Sequence, residues 1–278
     1  MDTLINEPIN QIIFTVLDVE TTGLKTYLGH RMCEIGLLKF CGTKKSKSYS
    51  SLVNPERSIP EDVIEVHGIT DEMVKNAPVF ESIADEVLEF IKGTVLIAHN
   101  AEFDLGFIVK HLHRAKKPIP DNFVVDTLTI AKKHFHFPGN SLKTIAECLG
   151  IGTEGGHRAL KDITTTKEVF QYFVKQLRVK TLGELLDLQG GSIAFPEIEE
   201  VTPPPVIAKA MKIGGRVVIK YTDTKGNKTE RIVTPIEVDK HHNTEFLIAF
   251  CHLRNEQRVF RMDRIKGIKI VVQSNRAK

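Results

Sequence analysis

Residues 12–23, which read IIFTVLDVETTG, decide the fold class of this chain. The β-branched and aromatic run from Ile12 to Leu17 predicts a buried strand, and the glycine that closes the stretch ends it. Asp18 and Glu20 are two residues apart, so both side chains point to one face of that strand. Neighbouring carboxylates repel each other, and a shared divalent cation removes that repulsion. A pair of solvated acids at a strand end is the alternative that this motif alone leaves open.

The chain that follows this strand predicts a mixed α/β sheet. Two further strands, at Met32–Cys41 and 46–53, follow with short connections and therefore favour an antiparallel meander. After them, apolar residues at helical spacing alternate with short apolar strands. We expect a five-stranded sheet with flanking helices over residues 1–177. The elements predicted after the meander are Phe80–Ile91, Thr94–Ala98, Ala101–Arg114, Phe123–Asp126 and a helical region from Thr127 to about Gln176.

Two more polar clusters lie next to predicted helices. Asn100 and Asp104 are four residues apart and would share one face of the helix that follows the strand Thr94–Ala98. Asp162 falls in the first or second turn of a later helix, and His157 precedes it after two glycines. Taken alone, each cluster has a simpler explanation, which is a helix cap, a surface acid or a solvated histidine.

Taken in order, the three clusters resemble the three exonuclease motifs of the DEDDh family, the DnaQ-like 3′→5′ exonucleases. They read D-x-E-T-T-G from Asp18, H-N-A-x-F-D from His99 and H-x-A-x-x-D from His157. The resemblance covers about residues 10–177 and implies a ribonuclease H-like fold. It also implies a metal-dependent enzyme that releases nucleoside 5′-monophosphates from 3′ ends of single-stranded nucleic acid, with DNA favoured over RNA.

The same resemblance assigns roles to individual residues. His157 would be the general base that takes a proton from the attacking water, since an ordinary histidine pKa of about 6.5 suits that task. Glu20 would share in catalysis as one of the ligands of two divalent cations, Mg²⁺ or Mn²⁺. Oxygen ligands alone suit these hard ions. The implied metal ligands are Asp18, Glu20, Asp104 and Asp162, and the implied contacts to the terminal nucleotides are Thr21, Leu24, His67, Asn100 and Phe103. Leu24 and Phe103 could instead belong to the core.

The charge of the chain changes along its length. Residues 206–278 carry sixteen Lys and Arg against seven Asp and Glu, whereas residues 1–177 carry twenty against twenty-three. A basic C-terminal part favours an anionic partner such as nucleic acid, or else it only keeps a small domain soluble. The intervening residues 178–205 contain Gly190–Gly191–Ser192 and end in three prolines, which predicts a linker.

Short strands separated by turns predict a small β-barrel over residues 206–278. The sequence from Glu245 to Ile265 resembles the WYL domain. It has Glu245–Phe246–Leu247 where that family has the Trp-Tyr-Leu tripeptide from which its name derives. The resemblance implies an SH3- or Sm-like barrel that binds nucleic acid or senses a ligand. Arginine suits phosphate because its planar fork donates two hydrogen bonds. The candidate nucleic-acid contacts are Arg254, Arg258, Arg261 and Arg264. The alternative is that Arg261 or Arg264 pairs with Asp263 or Glu256 inside the domain.

Composition narrows the remaining classes of protein. No run of about 18 apolar residues occurs, and Met1–Ile5 lacks a basic region, so we expect neither a membrane partner nor a secretory signal. Four scattered cysteines without a C-x-x-C pair argue against a disulfide framework and favour the cytoplasm. The sequence leaves homo-oligomerisation open and does not support association with a polymerase or a sliding clamp. The competing hypothesis is an inactive nuclease fold that binds nucleic acid, or regulates, through its C-terminal domain.

Overall fold

A computed structural model describes residues 4–42, 47–152 and 158–271 of the chain. The chain forms two compact units. The first unit comprises Met1–Leu24 and Arg31–Glu197, and the second comprises Lys25–His30 and Ile198–Lys278. The boundary in the C-terminal half therefore lies between Glu197 and Ile198.

The first unit is built on a five-stranded mixed sheet with the order β3-β2-β1-β4-β5. Strand β1 pairs antiparallel with β2 and parallel with β4, and β5 continues the parallel side. This arrangement confirms the predicted fold class, a meander of three strands extended by strands that alternate with helices. The strands are β1 (Phe14–Thr21), β2 (Met32–Phe40), β3 (Lys47–Leu52), β4 (Val95–Ala98) and β5 (Val124–Asp126).

Helices cover both faces of this sheet. Alternate residues of β1 enter different cores, because successive side chains of a strand point to opposite faces. Phe14 and Val16 pack on one face, and Leu17 and Val19 pack on the other. Asp18 and Glu20 continue the series of Phe14 and Val16 toward α7. The helices of this unit are α1 (Glu61–His67), α2 (Asp71–Val74), α3 (Phe80–Ile91), α4 (Ala101–Arg114), α5 (Thr127–His134), α6 (Leu142–Leu149), α7 (Ala159–Gln176) and α8 (Leu182–Gln189).

The first twenty residues of the segment 178–205, which the sequence predicts as a linker, lie in the first compact unit. Leu182, Leu185 and Leu186 of α8 are buried in the core that contains Phe14. The buried Gln189 side chain accepts a hydrogen bond from the Asp126 backbone N–H at 2.8 Å and donates one to the Val124 carbonyl at 2.7 Å. These bonds attach the segment to the edge strand β5. Gly190–Gly191–Ser192, which suggested flexibility, forms a turn after α8, and the Gln189 side chain also donates to the Gly191 carbonyl in this turn.

The second unit is an antiparallel five-stranded sheet with the order β10-β6-β7-β8-β9, covered by α9. It fits the small β domain that the sequence predicts. The ladder is open within the described residues, because β9 and β10 are its two edges. Tyr27, from the segment Lys25–His30, stacks on His241 of β7 with ring centroids 4.0 Å apart. The elements are α9 (Pro205–Ile213), β6 (Val217–Thr222), β7 (Lys228–His241), β8 (Thr244–Cys251), β9 (Glu256–Arg261) and β10 (Ile265–Ile270).

None of the helices in the described parts of the chain combines the length and the apolar character needed to cross a membrane. The longest, α7, has eighteen residues and carries charged side chains along its length.

Candidate active site

Three carboxylates meet where β1 ends and α7 begins. One oxygen from each of Asp18, Glu20 and Asp162 can be chosen so that the three lie within 4.8 Å of one another. The strand places Asp18 and Glu20 on its α7 face, and the first turn of α7 carries Asp162. The structure therefore brings together three of the four acids that the sequence predicts as metal ligands.

The fourth predicted ligand, Asp104, is joined to the same strand by a backbone hydrogen bond. Its Oδ1 accepts from the N–H of Val19, the residue between Asp18 and Glu20, at 3.0 Å. Asp104 lies in the first turn of α4 and is 3% exposed. The contact holds the start of α4 against the end of β1, and it brings the Asp104 carboxylate close enough for its charge to act on Asp18.

Burial and mutual repulsion raise the pKa of Asp18, Glu20 and Asp104 in the absence of a cation. Desolvation raises the pKa of Asp18 most, followed by the charges of Asp104, Glu20 and Asp162. Desolvation, then Asp162 and Glu34, raise the pKa of Glu20 to about 8. Desolvation also raises the pKa of Asp104, although the Val19 N–H opposes it. A set of buried oxygen donors that resist ionisation fits a hard divalent cation, which would supply the missing positive charge.

The start of α7 is held against β2 by a buried carboxylate. Glu34 accepts hydrogen bonds from Arg158 Nε at 3.0 Å and Nη2 at 2.7 Å, and from the Ala159 backbone N–H at 3.1 Å. Glu34 lies opposite Glu20 in the β1–β2 register, and Gly36 lies opposite Asp18. At Gly36 the absence of a side chain lets the Ala159 backbone approach closely, since an added Cβ would stand 2.8 Å from the Ala159 carbonyl carbon. These contacts fix the position of α7 relative to β2 and therefore the position of the Asp162 carboxylate.

A second buried carboxylate, Asp126 at the end of β5, fixes the start of α4. Its Oδ1 accepts from the backbone N–H groups of Asn100 at 2.8 Å and Ala101 at 3.3 Å. The same carboxylate caps α5 through the N–H groups of Leu128 and Thr129. Asn100 adopts a left-handed conformation with φ 76°, and its side chain makes no capping bond to α4. The exposed Asn100 amide therefore remains directed to the site rather than to the helix.

A cavity of about 510 Å³ opens beside the carboxylates. Asp18, Asp162 and Asn100 line it together with Asn140 and Lys161. Asn140 is held in place because its carbonyl oxygen lies 2.9 Å from His99 Nε2, and the other ring nitrogen of His99 lies 2.9 Å from the Thr127 hydroxyl. Nothing in the sequence alone indicates a role for His99, Asn140 or Lys161. Only the position of Lys161, directly before a predicted metal ligand, could have drawn attention to it.

The predicted nucleotide contacts fall into two groups. Leu24 is 77% exposed, and Phe103 is partly buried with its ring 5.1 Å from that of Phe107. Thr21 and His67 are buried and bind the protein itself. The Thr21 hydroxyl donates to the Gly23 carbonyl at 2.8 Å. His67 Nδ1 accepts from the Ile69 N–H at 2.9 Å, and its Nε2 lies 3.3 Å from the Thr21 carbonyl oxygen. His67 thus orients the backbone of Thr21.

The predicted general base, His157, lies outside the described residues.

The four C-terminal arginines occupy different settings in the second unit. Arg261 pairs with Asp263 at 2.7 Å, which is one of the pairings named as the alternative to nucleic-acid contact. Arg258 pairs with Glu256 at 2.7 Å, a pair that the sequence did not suggest. Arg254 is exposed in the turn between β8 and β9, and Arg264 lies in a short 3₁₀ turn (Met262–Arg264) before β10. Strand alternation therefore does not set the direction of the Arg264 side chain.

Comparison with known proteins extends these observations. A scan against protein families matches residues 15–170 to the family described as Exonuclease and residues 205–270 to the WYL domain. The DNA polymerase III subunit epsilon of Treponema pallidum is 39% identical over 162 residues, which cover 57% of this chain and 75% of that protein. The 3′-5′ exonuclease DinG of Bacillus subtilis is 34% identical over 170 residues, which cover 61% of this chain but only 18% of that much longer protein.

Solved structures show the same fold at lower sequence identity. Exonuclease I of E. coli, in complex with a dT13 oligonucleotide, aligns with a TM-score of 0.55 and 15% identity, covering 86% of this chain and 55% of that one. The family match over more than half of the chain, together with the carboxylates at the end of β1, identifies it as a member of the DnaQ-like exonuclease family with a WYL domain at its C-terminal end.

Proposed function

We propose that this chain is a metal-dependent 3′→5′ exonuclease of the DEDDh type. The observation that carries the proposal is the meeting of Asp18, Glu20 and Asp162 within 4.8 Å, with Asp104 bonded to the backbone between the first two. Burying several carboxylates together raises their pKa values and destabilises the fold at neutral pH. The same carboxylates are suitable ligands for the cations that assist phosphoryl transfer. Asp18, Glu20, Asp104 and Asp162 would hold two divalent cations, Mg²⁺ or Mn²⁺.

When bound, the cations would activate a water molecule and offset charge that builds on the phosphate. The residues of the chain contribute position and proton transfer. Asp104 is fixed by Val19, and Asp162 is fixed through the contacts of Glu34 with Arg158 and Ala159. His157 would accept the proton of the attacking water, which suits a reaction near neutral pH.

The substrate we propose is a single strand with a free 3′ end. Leu24, which is 77% exposed, is suited to contact the last bases, and we assign Phe103 and Thr21 to the same nucleotides. The exposed amide of Asn100 is suited to a sugar or phosphate oxygen. DNA is favoured over RNA because the related epsilon subunit is named for a DNA polymerase and the Exonuclease I neighbour was solved with an oligonucleotide of deoxythymidines. The products would be nucleoside 5′-monophosphates.

The C-terminal unit would bind or sense nucleic acid in the same proposal. Its surplus of basic residues supports an anionic partner. Arg254 is exposed and makes no ion pair with any residue in the described ranges. Arg258 and Arg261 pair with exposed acids, and such surface pairs contribute little, so they can be exchanged for phosphate contacts. Arg264 completes the proposed set.

The experiment that tests the activity uses 5′-labelled single strands of DNA and RNA with one sequence. Each is incubated with Mg²⁺, Mn²⁺ or EDTA and with the unmodified protein or Asp104→Asn or His157→Ala variants. A metal-dependent ladder that shortens from the 3′ end, and that both variants lose, is expected. Asp121→Asn is the matched control, because Asp121 is exposed and lies outside the three motifs, and this variant should cleave normally. No shortening of either strand with either cation would reject the proposal and favour an inactive fold that binds nucleic acid through its C-terminal unit.

A further inference from the structure

The cavity beside the carboxylates is lined by a lysine, Lys161, that has no role in the chemistry proposed above. Lys161 lines this cavity together with Asp18 and Asp162. Its Nζ is shielded from solvent and forms no hydrogen bond with any group in the described parts of the chain. A lysine ammonium carries three donors and is strongly hydrated, so burying it without an acceptor is costly. Its position therefore calls for an acceptor that enters the cavity from outside.

The neighbouring carboxylates are poor candidates for that acceptor. Asp18 and Asp162 are within the group of oxygens that can surround a cation, yet Lys161 makes no ion pair with them. Once divalent cations are bound, those oxygens are engaged, and an ammonium beside them is repelled. An acceptor that carries its own negative charge and lies next to the cations satisfies both conditions. A backbone phosphate of a nucleic-acid strand has this chemistry.

The residues that line the cavity also indicate the direction in which a nucleic-acid strand would run through the site. Leu24 and Thr21, the proposed contacts of the terminal nucleotide, do not line it, whereas Asn100 and Asn140 do. A strand whose last nucleotide lies at Leu24 must pass the carboxylates at the scissile phosphate and continue into the cavity. The first phosphate beyond the scissile one then comes to the walls where Lys161 is found.

We propose that Lys161 binds the backbone phosphate immediately 5′ of the scissile phosphate and so positions the substrate strand in the site. This inference rests on the proposed exonuclease function and adds a substrate-binding residue to it. The contact exists before and during reaction alike, so it contributes uniform binding. Its loss should raise KM and leave kcat nearly unchanged, unlike the loss of a metal ligand.

The test measures binding without turnover. Fluorescence anisotropy in EDTA gives the Kd of a labelled single-stranded 12-mer for the unmodified protein and for Lys161→Gln, Lys161→Met and Lys161→Arg. Removing one charge-assisted contact should raise Kd about tenfold in the first two variants, with partial recovery in the arginine variant. The slope of log Kd against log salt should fall by about 0.7, the value for one phosphate on a single strand. Lys175→Gln, at an exposed lysine on the same helix, is the matched control and should bind as the unmodified protein does.

A second oligonucleotide locates the contact. A neutral methylphosphonate replaces the phosphate next to the terminal linkage, on its 5′ side. It should weaken binding to the unmodified protein about as much as Lys161→Gln does, and it should have no further effect on that variant, because one interaction cannot be lost twice. Additive losses, or unchanged Kd values in both neutral variants, would overturn the proposal.

Two further outcomes separate this inference from other roles. If Lys161→Gln alters Mg²⁺ binding by the protein alone and leaves the oligonucleotide Kd unchanged, the lysine only balances the carboxylates and the proposal is wrong. If the unmodified protein degrades no strand, the proposed function fails, but the EDTA measurements still decide whether Lys161 binds phosphate. Circular dichroism and thermal melting verify that each variant is folded.

Discussion

Gly36→Ala should reduce turnover strongly although Gly36 itself carries no chemical group. Gly36 lies in the middle of β2, opposite Asp18 in the register, and it faces the start of α7. A Cβ built at this position stands 2.8 Å from the carbonyl carbon of Ala159 and 2.9 Å from its Cβ. Ordinary contact begins at 3.4 Å, so α7 or β2 must move by about 0.6 Å. The atoms that must give way are mostly backbone, and the Glu34 hydrogen bonds to Arg158 and Ala159 hold them in place.

That displacement acts directly on the metal ligands. Asp162 is three residues beyond Ala159 on the same helix, while Asp18 lies on the strand next to Gly36. Because a misplacement of about 1 Å in a catalytic site can cost about 100-fold, we expect kcat to fall by roughly 10- to 100-fold and Mg²⁺ affinity to weaken. Overpacking of this kind also costs about 1–3 kcal/mol of stability, which leaves the protein folded at room temperature.

The assay compares kcat on a labelled single strand at saturating Mg²⁺, Mg²⁺ affinity by calorimetry and the free energy of unfolding in urea. The matched control is Gly106→Ala in the middle of α4, two residues from Asp104, where an added Cβ meets no atom within 4 Å. Alanine there should stabilise the helix by about 0.5–1 kcal/mol and leave kcat unchanged. A folded Gly36→Ala variant with normal kcat and normal Mg²⁺ affinity would refute the idea that this contact sets the position of Asp162.

Three further predictions test other parts of the site. The pKa of Glu20 is raised to about 8 from 4.5, so the folded protein retains a proton that the unfolded chain releases. In EDTA, stability should therefore fall as pH rises from 5 to 8, by up to about 1.4 kcal/mol per pH unit, and Mg²⁺ should restore the melting temperature at pH 8. Asp126→Ala leaves the backbone donors of Asn100, Ala101, Leu128 and Thr129 without their acceptor, and should cost about 3 kcal/mol or more in urea unfolding. Leu24→Ala removes a side chain that is 77% exposed, so the free energy of unfolding should change by less than about 0.5 kcal/mol. If Leu24 contacts the substrate, kcat/KM should fall several-fold. An unchanged kcat/KM would show that Leu24 is not part of the substrate site.

The sequence was sufficient to predict the elements that carry strong periodic patterns. Helices α3 and α4 begin and end at the predicted residues, because each has an apolar stripe at helical spacing that packs on the sheet. Strand β1 was recognised because its apolar run is continuous and is buried on both faces. The acids at the end of this strand could be assigned a role only together with the clusters around Asp104 and Asp162, because a D-x-E pair alone is equally explained by solvated acids.

Other elements could not be predicted because their signals depend on distant residues. Helix α9 begins at the last of three prolines, which suggested an extended segment, yet proline is favoured at the first position of a helix and Ile207 and Ala210 pack in the core. The role of Gln189 depends on the backbone of β5, more than sixty residues earlier in the chain. The environment of Lys161 likewise depends on a cavity that α7 forms together with β1, α5, α6 and the residues directly before α4. No local pattern in the sequence encodes such contacts.

The site therefore combines two kinds of residue with opposite effects on stability. Asp18, Glu20 and Asp104 are held where burial raises their pKa, which opposes folding near neutral pH when no cation is bound. Glu34 and Asp126 are also buried acids, but each accepts several backbone or guanidinium hydrogen bonds and so stabilises the fold. This difference in hydrogen bonding, rather than burial or charge, separates the acids that await a cation from those that hold the helices in place.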